Sequence, residues 1–339
     1  MDNKGVLITG GQAELGPLAA VQMRLSSFAP YRWFVATIIW FADKLGVRGR
    51  SLIIALPYVW LLVFFLLPFA IVLKLSFAEI AIAIPPYSPL WAWVDGIYLK
   101  IQLSFESYQL LFEDSLYIKA YLTSIKIATV STLLTLFIGF PMAYGMVRAP
   151  KQWRATLLML VILPFWTSFL IRVYAWIGIL KTKGLLNLLL MNLGIISEPL
   201  TILNTNLAVY IGIVYSYLPF MILPLYANLE KLDGSLLEAA SDLGCGPFKA
   251  FWSITIPLSI PGIVAGCFLV FIPAVGEFVI PDLLGGSDTL MIGKTLWVEF
   301  FNNRDWPLAS AVAVLLLIIL LIPIVLFQKF QERANARST

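Results

Sequence analysis

The chain has 339 residues, of which 60% are hydrophobic and 12% charged, with a net charge of +4 and no histidine. An average soluble domain carries about 25% charged residues, so this much apolar surface points to lipid as its solvent. The missing histidine excludes His-based acid–base or triad chemistry and every His-ligated metal, and Cys245 and Cys267, without a CxxC spacing, give neither a disulfide framework nor a metal site.

The first 27 residues, with Gly10, Gly11 and Pro17, read as a loose tail without a signal peptide. The apolar run 33–41 is about half the ~20 residues needed to span and is flanked by Arg32, Lys44, Arg48 and Arg50. It reads as an interfacial amphipathic helix on the membrane surface, the alternative being a seventh span. Six segments are long and apolar enough to cross: roughly 51–74, 120–147, 156–180, 207–228, 258–284 and 308–328. The fold class is therefore all-α, a six-span integral membrane protein, organised as an N-terminal tail over 1–50, a membrane domain over 51–330 and a short tail over 331–339. Pro68, Pro141, Pro164, Pro219, Pro224 and Pro273 inside these segments predict kinks.

Basic residues gather at Arg148, Lys151 and Arg154, at Lys231 and Lys249, and at Lys329, Arg333 and Arg337, besides those of the N-terminal tail. The intervening loops hold Asp95, Glu106, Glu113, Asp114, Glu198, Asp288, Glu299 and Asp305. By the positive-inside rule both termini are expected in the cytoplasm, and the scattered cations encode orientation and not nucleic-acid binding. The external loop 75–119 contains Pro85-Pro86, Tyr87, Trp91 and Trp93 and reads either as an interfacial aromatic belt or as a docking surface.

The loop 230–257 between spans four and five carries the most specific signal. Ser235 and Glu238 have capping-box spacing, Leu236, Leu237, Ala240 and Leu243 make one apolar face, Gly244 stands at the C-terminal stop, and Gly246-Pro247 oppose continuation. A short amphipathic helix with an exposed apolar stripe is expected, the mark of a partner site. Glu238-Ala239-Ala240, Gly244, Ile254 and Ile256-Pro257 resemble the EAA loop of permease subunits of binding-protein-dependent ABC importers, with Ile256 replacing the family's Leu. Stretches 163–176, 271–281 and 300–307 look like polyamine importers, closest to the putrescine branch. The resemblance implies a type I permease fold, no cofactor and no ATPase site of its own. It implies Ser235, Glu238, Ala239, Ala240, Gly244, Ile254 and Pro257 as the ATPase-coupling segment. The implied partners are a second permease subunit, a cytoplasmic ABC ATPase dimer and an external, periplasmic polyamine-binding protein, all at the inner membrane. The alternatives are a permease for another small organic solute, a secondary carrier or channel and, more remotely, a membrane-embedded enzyme.

Gly293-Lys294-Thr295 resembles the end of a P-loop, but the glycine required five residues earlier is Asp288. Intramembrane ionisable groups are candidates for function. Glu277 and Asp282 late in span five are candidate substrate carboxylates, and Trp166, Tyr174 and Trp176 candidate cation–π faces for an ammonium group. Alternatively, Glu277 pairs with Arg172 as a buried ion pair and the aromatics serve packing.

Overall fold

The computed structural model describes residues 49–94 and 98–336. The segment 33–41 and almost all of the N-terminal tail lie outside them. Two compact units divide at Ile71 and Val72. In the first, α1 (Gly49–Leu61) passes through a π-helical turn, Leu62–Leu66, into α2 (Leu67–Leu75), which continues into the second unit. Next come β1 (Trp91–Val94) and β2 (Tyr98–Ile101), an antiparallel hairpin that pairs Trp91 with Ile101 and is a small exception to the all-helical expectation. Then follow α3 (Glu106–Glu113), α4 (Ser115–Arg148), α5 (Lys151–Ile162), α6 (Phe169–Leu180), α7 (Leu185–Asn192) and α8 (Asn206–Leu229). The chain ends with α9 (Ser235–Asp242), α10 (Pro247–Ala250), α11 (Ile256–Val275), α12 (Val279–Leu284), α13 (Ile292–Trp297) and α14 (Trp306–Ala336).

Among the described residues six helical stretches are long and apolar enough to cross a membrane, as the sequence predicts, but two differ from their expected bounds. The third was expected as one span over 156–180. It is instead broken by a 3-10 turn, Leu163–Trp166, and the stretch that qualifies runs from Phe169 to Asn192. Pro164 lacks the N–H that a continuous helix needs, and the Thr167 hydroxyl donates 2.8 Å to the Pro164 carbonyl at the break. The fifth stretch begins at Pro247 and ends at Val275, not at 258 and 284. Pro247 opens a helix, because at the first turn its missing N–H has no partner to lose. Pro68 and Pro257 each follow, after one intervening residue, on a π-helical turn, Leu62–Leu66 and Phe251–Thr255, whose wider ring absorbs the missing bond without ending the helix.

In lipid, helices gain little from leaving the solvent, and close contact between small residues carries their association. Here α8 packs against α4 and α11. Met221 of α8 is fully buried between Gly139 of α4 and Gly266 of α11, where added Cβ atoms would lie 2.9 Å from its Cγ and 2.6 Å from its Sδ. One turn away, a Cβ on Gly262 would stand 2.7 Å from the Cβ of Asn228. The Tyr121 hydroxyl donates to the Val312 carbonyl at 2.8 Å, tying α4 to α14.

Gly262→Ala should lower stability in detergent by about 1–3 kcal/mol, because the atom that must move belongs to a short, backbone-bound stem. Gly178→Ala, with nothing within 4 Å, should leave thermal unfolding unchanged. Equal melting curves for the two variants would remove the proposed close α8–α11 contact.

Candidate functional site

One site lies at the end of the bundle where Arg148, Arg154 and Lys249 stand. Helix α9 starts at Ser235, but the expected capping box does not form. Ser235 sits inside the first turn, and its N–H donates 3.0 Å to the Asp233 carboxylate. Hydrogen bonds from Ser235, the backbone one first, hold that carboxyl below the usual carboxylate range. The Asp-Gly-Ser order is an Asx-turn signal, and it outcompetes the Ser-x-x-Glu pattern because Asp233 reaches the free N–H from outside the helix. At the other end Gly244 takes φ +76°, as expected of the stop residue. The Cys245 N–H reaches the Ala240 carbonyl at 2.8 Å and the Gly244 N–H reaches that of Ser241 at 2.9 Å, a Schellman closure.

The expected apolar stripe of α9 divides in two. Ala240 is buried, and Leu237 lines small cavities with Tyr144, Arg148 and Thr255. Ile254 lines one of them beside Leu232 and Leu258. Leu243 is left 88% exposed, in company with Phe248 (77%) and Trp252 (56%). Phe248 and Trp252 were missed in the sequence, where they fall in the loop ahead of the span expected from 258. Phe251 anchors this platform, its ring 5.3 Å from Tyr144 and 5.8 Å from Phe140 of α4. Glu238, Ala239 and Pro257 are exposed, and Arg154 reaches Glu230 at 3.9 Å behind them.

The second site is the break between α11 and α12. Glu277 lies there, 7% exposed. Its Oε1 accepts the N–H groups of Val279 (3.1 Å) and Ile280 (3.3 Å), and its Oε2 accepts the Tyr217 hydroxyl of α8. The carboxylate thus satisfies the free N–H groups at the start of α12. The alternative ion pair with Arg172 does not form. Arg172 lies over the rings of Phe165 (5.5 Å) and Phe169 (5.8 Å), and its buried Nε has no hydrogen-bond partner. Ring contacts from Phe165 to Phe220 and from Phe220 to Tyr217 lead from the cation to the anion, so aromatic rings occupy the space that an ion pair would need. Tyr217 had no sequence signal beyond being an aromatic in a span.

The other candidates are dispersed. Asp282 is 3.1 Å from Lys294. Trp166 (73%) and Tyr174 (58%) are exposed, whereas Trp176 packs edge-on against Tyr215 at 5.3 Å. Tyr215 in turn lines a cavity of about 500 Å³ with Pro141, Pro164, Pro219 and other apolar residues. The P-loop-like triplet is absorbed by packing. A Cβ at Gly293 would lie 2.7 Å from the Glu277 carbonyl oxygen, Lys294 pairs with Asp282, and the Thr295 hydroxyl bonds the Met291 carbonyl.

Residues 135–337 match the binding-protein-dependent transport system inner membrane component family. The spermidine/putrescine transport system permease protein PotB of Haemophilus influenzae is 40% identical over 291 residues, 86% of this chain and 96% of that protein. PotB of Escherichia coli is 42% identical over 243 residues, 72% of this chain and 88% of that one. A solved bacterial ABC transporter involved in the import of alginate has the same fold, with a TM-score of 0.59 at 18% identity over 89% of this chain and 98% of its own.

Glu277→Leu leaves two N–H groups and a hydroxyl without an acceptor and should cost about 3 kcal/mol or more. Glu277→Gln keeps a carbonyl acceptor and should stay within about 1.5 kcal/mol of the parent. Thermal unfolding of both variants checks this, and equal stability of the Leu and Gln proteins would show that the carboxylate is not the cap.

Proposed function

The chain belongs to the family of binding-protein-dependent transport system inner membrane components, and on that premise we propose that it is the permease subunit of an ATP-driven importer of polyamines, putrescine and spermidine among them. The observation that carries the cargo is the 40% identity to a spermidine/putrescine permease over 96% of that protein's length. The end bearing Arg148, Arg154, Lys231 and Lys249 faces the cytoplasm with both termini, on the positive-inside argument.

In this reading α9 and the Leu243–Phe248–Trp252 platform fit a groove of a cytoplasmic ATPase. Ser235, Glu238, Ala239, Ala240, Gly244, Ile254 and Pro257 hold the shape of that contact. A stiff, capped helix followed by a platform that Phe251 binds to α4 transmits a push from the ATPase into the bundle, whereas a frayed loop would absorb it. A second permease subunit completes the pathway, two ATPase subunits drive it, and a periplasmic binding protein delivers the cargo. Closure of the ATPase pair on ATP draws the coupling helices together and opens the pathway outward. Hydrolysis then restores the inward-facing form and the cation is released.

Glu277 supplies the negative charge for a dication crossing a region of low dielectric. Its hydrogen-bond donors are all neutral, so its net charge remains without a cationic partner among the described residues. A unit pair at 4 Å and an effective dielectric of 20 is worth about 4 kcal/mol before desolvation, enough to attract a cation and weak enough to let it go. Trp166 and Tyr174 offer exposed ring faces, Trp176 packs against Tyr215, and Asp282 pairs with Lys294.

In proteoliposomes containing the assembled transporter, labelled putrescine and spermidine should accumulate only with hydrolysable ATP, and an uncharged organic solute should not. Accumulation of the neutral solute alone would overturn the cargo. Uptake should fall about tenfold or more for Glu277→Gln in a normally assembled complex. Gly244→Asp forces a side chain into the left-handed region, at a cost of about 1 kcal/mol or more, and against the docking surface. It should abolish uptake and stimulated ATP hydrolysis while the chain still inserts; normal transport by this variant would rule out the coupling role.

A further inference from the structure

The chain leaves its first apolar helix at Leu75 and, from Ile80 to Val94, carries no charged residue. Within this stretch the order Ile80-Ala81-Ile82-Ala83-Ile84 places three isoleucines on a tight loop. The loop is closed at its base. The Ser88 N–H donates 2.9 Å to the Glu79 carbonyl, the Ser88 hydroxyl also contacts the Glu79 backbone, and Ile80 bridges to Tyr87. This closure turns the isoleucines outward. Ile80 is 58% exposed, Ile82 fully exposed at 110% and Ile84 at 97%.

One sequence separation and one contact fix the depth of the loop. Its start is five residues beyond Leu75, the last residue of a membrane-crossing stretch, and at its base the Tyr87 ring packs 6.3 Å from that of Trp306, the first residue of another. The loop is therefore held at the level where apolar helices end and headgroups begin. Charges stand only at the base, Glu79 against Ser88 and Lys74 4.0 Å over the Trp91 ring, while the Ile80–Ile84 tip has no polar side chain. Isoleucines beside Tyr and Trp at a helix end suit the lipid interface.

We propose that the Ile80–Ile84 loop inserts its isoleucines into the interfacial layer of the bilayer at the Leu75 end of the bundle. Insertion stops at that layer, because irregular backbone has N–H and C=O groups that hydrocarbon cannot satisfy. The loop then resists vertical movement of the β-hairpin and the α14 terminus while the opposite end of the bundle is displaced. The inference needs only a membrane-embedded chain, so it stands or falls separately from the polyamine reading.

The test uses the full chain in phospholipid nanodiscs with Cys245→Ser and Cys267→Ala as background and a single nitroxide-labelled cysteine at position 82 or 84. A label at the exposed loop residue Glu198 serves as the aqueous reference. The ratio of oxygen to nickel-chelate collision rates should be several-fold higher at 82 and 84 than at 198. Ratios equal to that at 198 would overturn the proposal. So would labels that stay nickel-accessible in lipid and lose mobility only when a substrate-loaded binding protein is added, since the loop would then be a protein-docking face.

Discussion

The grip of Gly139 and Gly266 on the side chain of Met221 sets the register of α8, and both candidate sites take their geometry from it. Four residues toward one end stands Tyr217, whose hydroxyl then falls within reach of Glu277. Toward the other end stand Tyr226 and Glu230, hydrogen-bonded to each other, with Arg154 beyond. A bilayer offers no apolar driving force to bring these helices together, so their separation is fixed by how closely backbones can approach. Small residues at the crossings are what permit a polar contact such as Tyr217–Glu277 to form at all.

That contact shows how the chain buries an acidic group just beyond the end of a membrane-crossing helix. An unpaired carboxylate is costly in a low-dielectric interior, and an oppositely charged side chain is the obvious remedy. Here the chain breaks a helix instead, and two free N–H groups of the new helix plus one hydroxyl solvate the anion. Backbone donors quench the cost of burial without cancelling the net charge. Unlike an Arg–Glu pair, this arrangement holds the group in place with neutral donors alone, and no cationic partner lies within reach among the described residues. Arg172, a few ring contacts away, is stabilised by aromatic faces in the same fashion.

At the opposite end of the bundle rigidity serves a different purpose. Helix α9 is closed at its start by Asp233 and at its end by the left-handed Gly244, and the platform after it is wedged against α4 by Phe251. The apolar residues left outside are Leu243, at the end of α9, and, after the Gly244–Gly246 turn, Phe248 and Trp252, whose rings lie 6.3 Å apart. A local motif and a tertiary turn combine there into one feature.

By itself the sequence determined the solvent, the number of crossings, the short helix at 235–242 and its glycine stop. These follow from apolar length, helical period and residue-specific backbone freedom, all local quantities. The family resemblance was likewise legible at Glu238, Ala239, Ala240, Gly244, Ile254 and Pro257, whose spacing is linear. The partner of Glu277, the separation of Arg172 from it, the true cap at Asp233 and the use of Gly293 as a packing surface were decided by tertiary structure. Each depends on which helix faces rotate toward one another, and in a chain that is apolar on nearly every face, hydrophobic periodicity carries almost no record of that rotation. The breaks after Pro164 and Val275 were undetermined for a related reason. Proline marks where a helix can bend, but neighbouring helices and π-helical turns decide whether it bends, continues or ends.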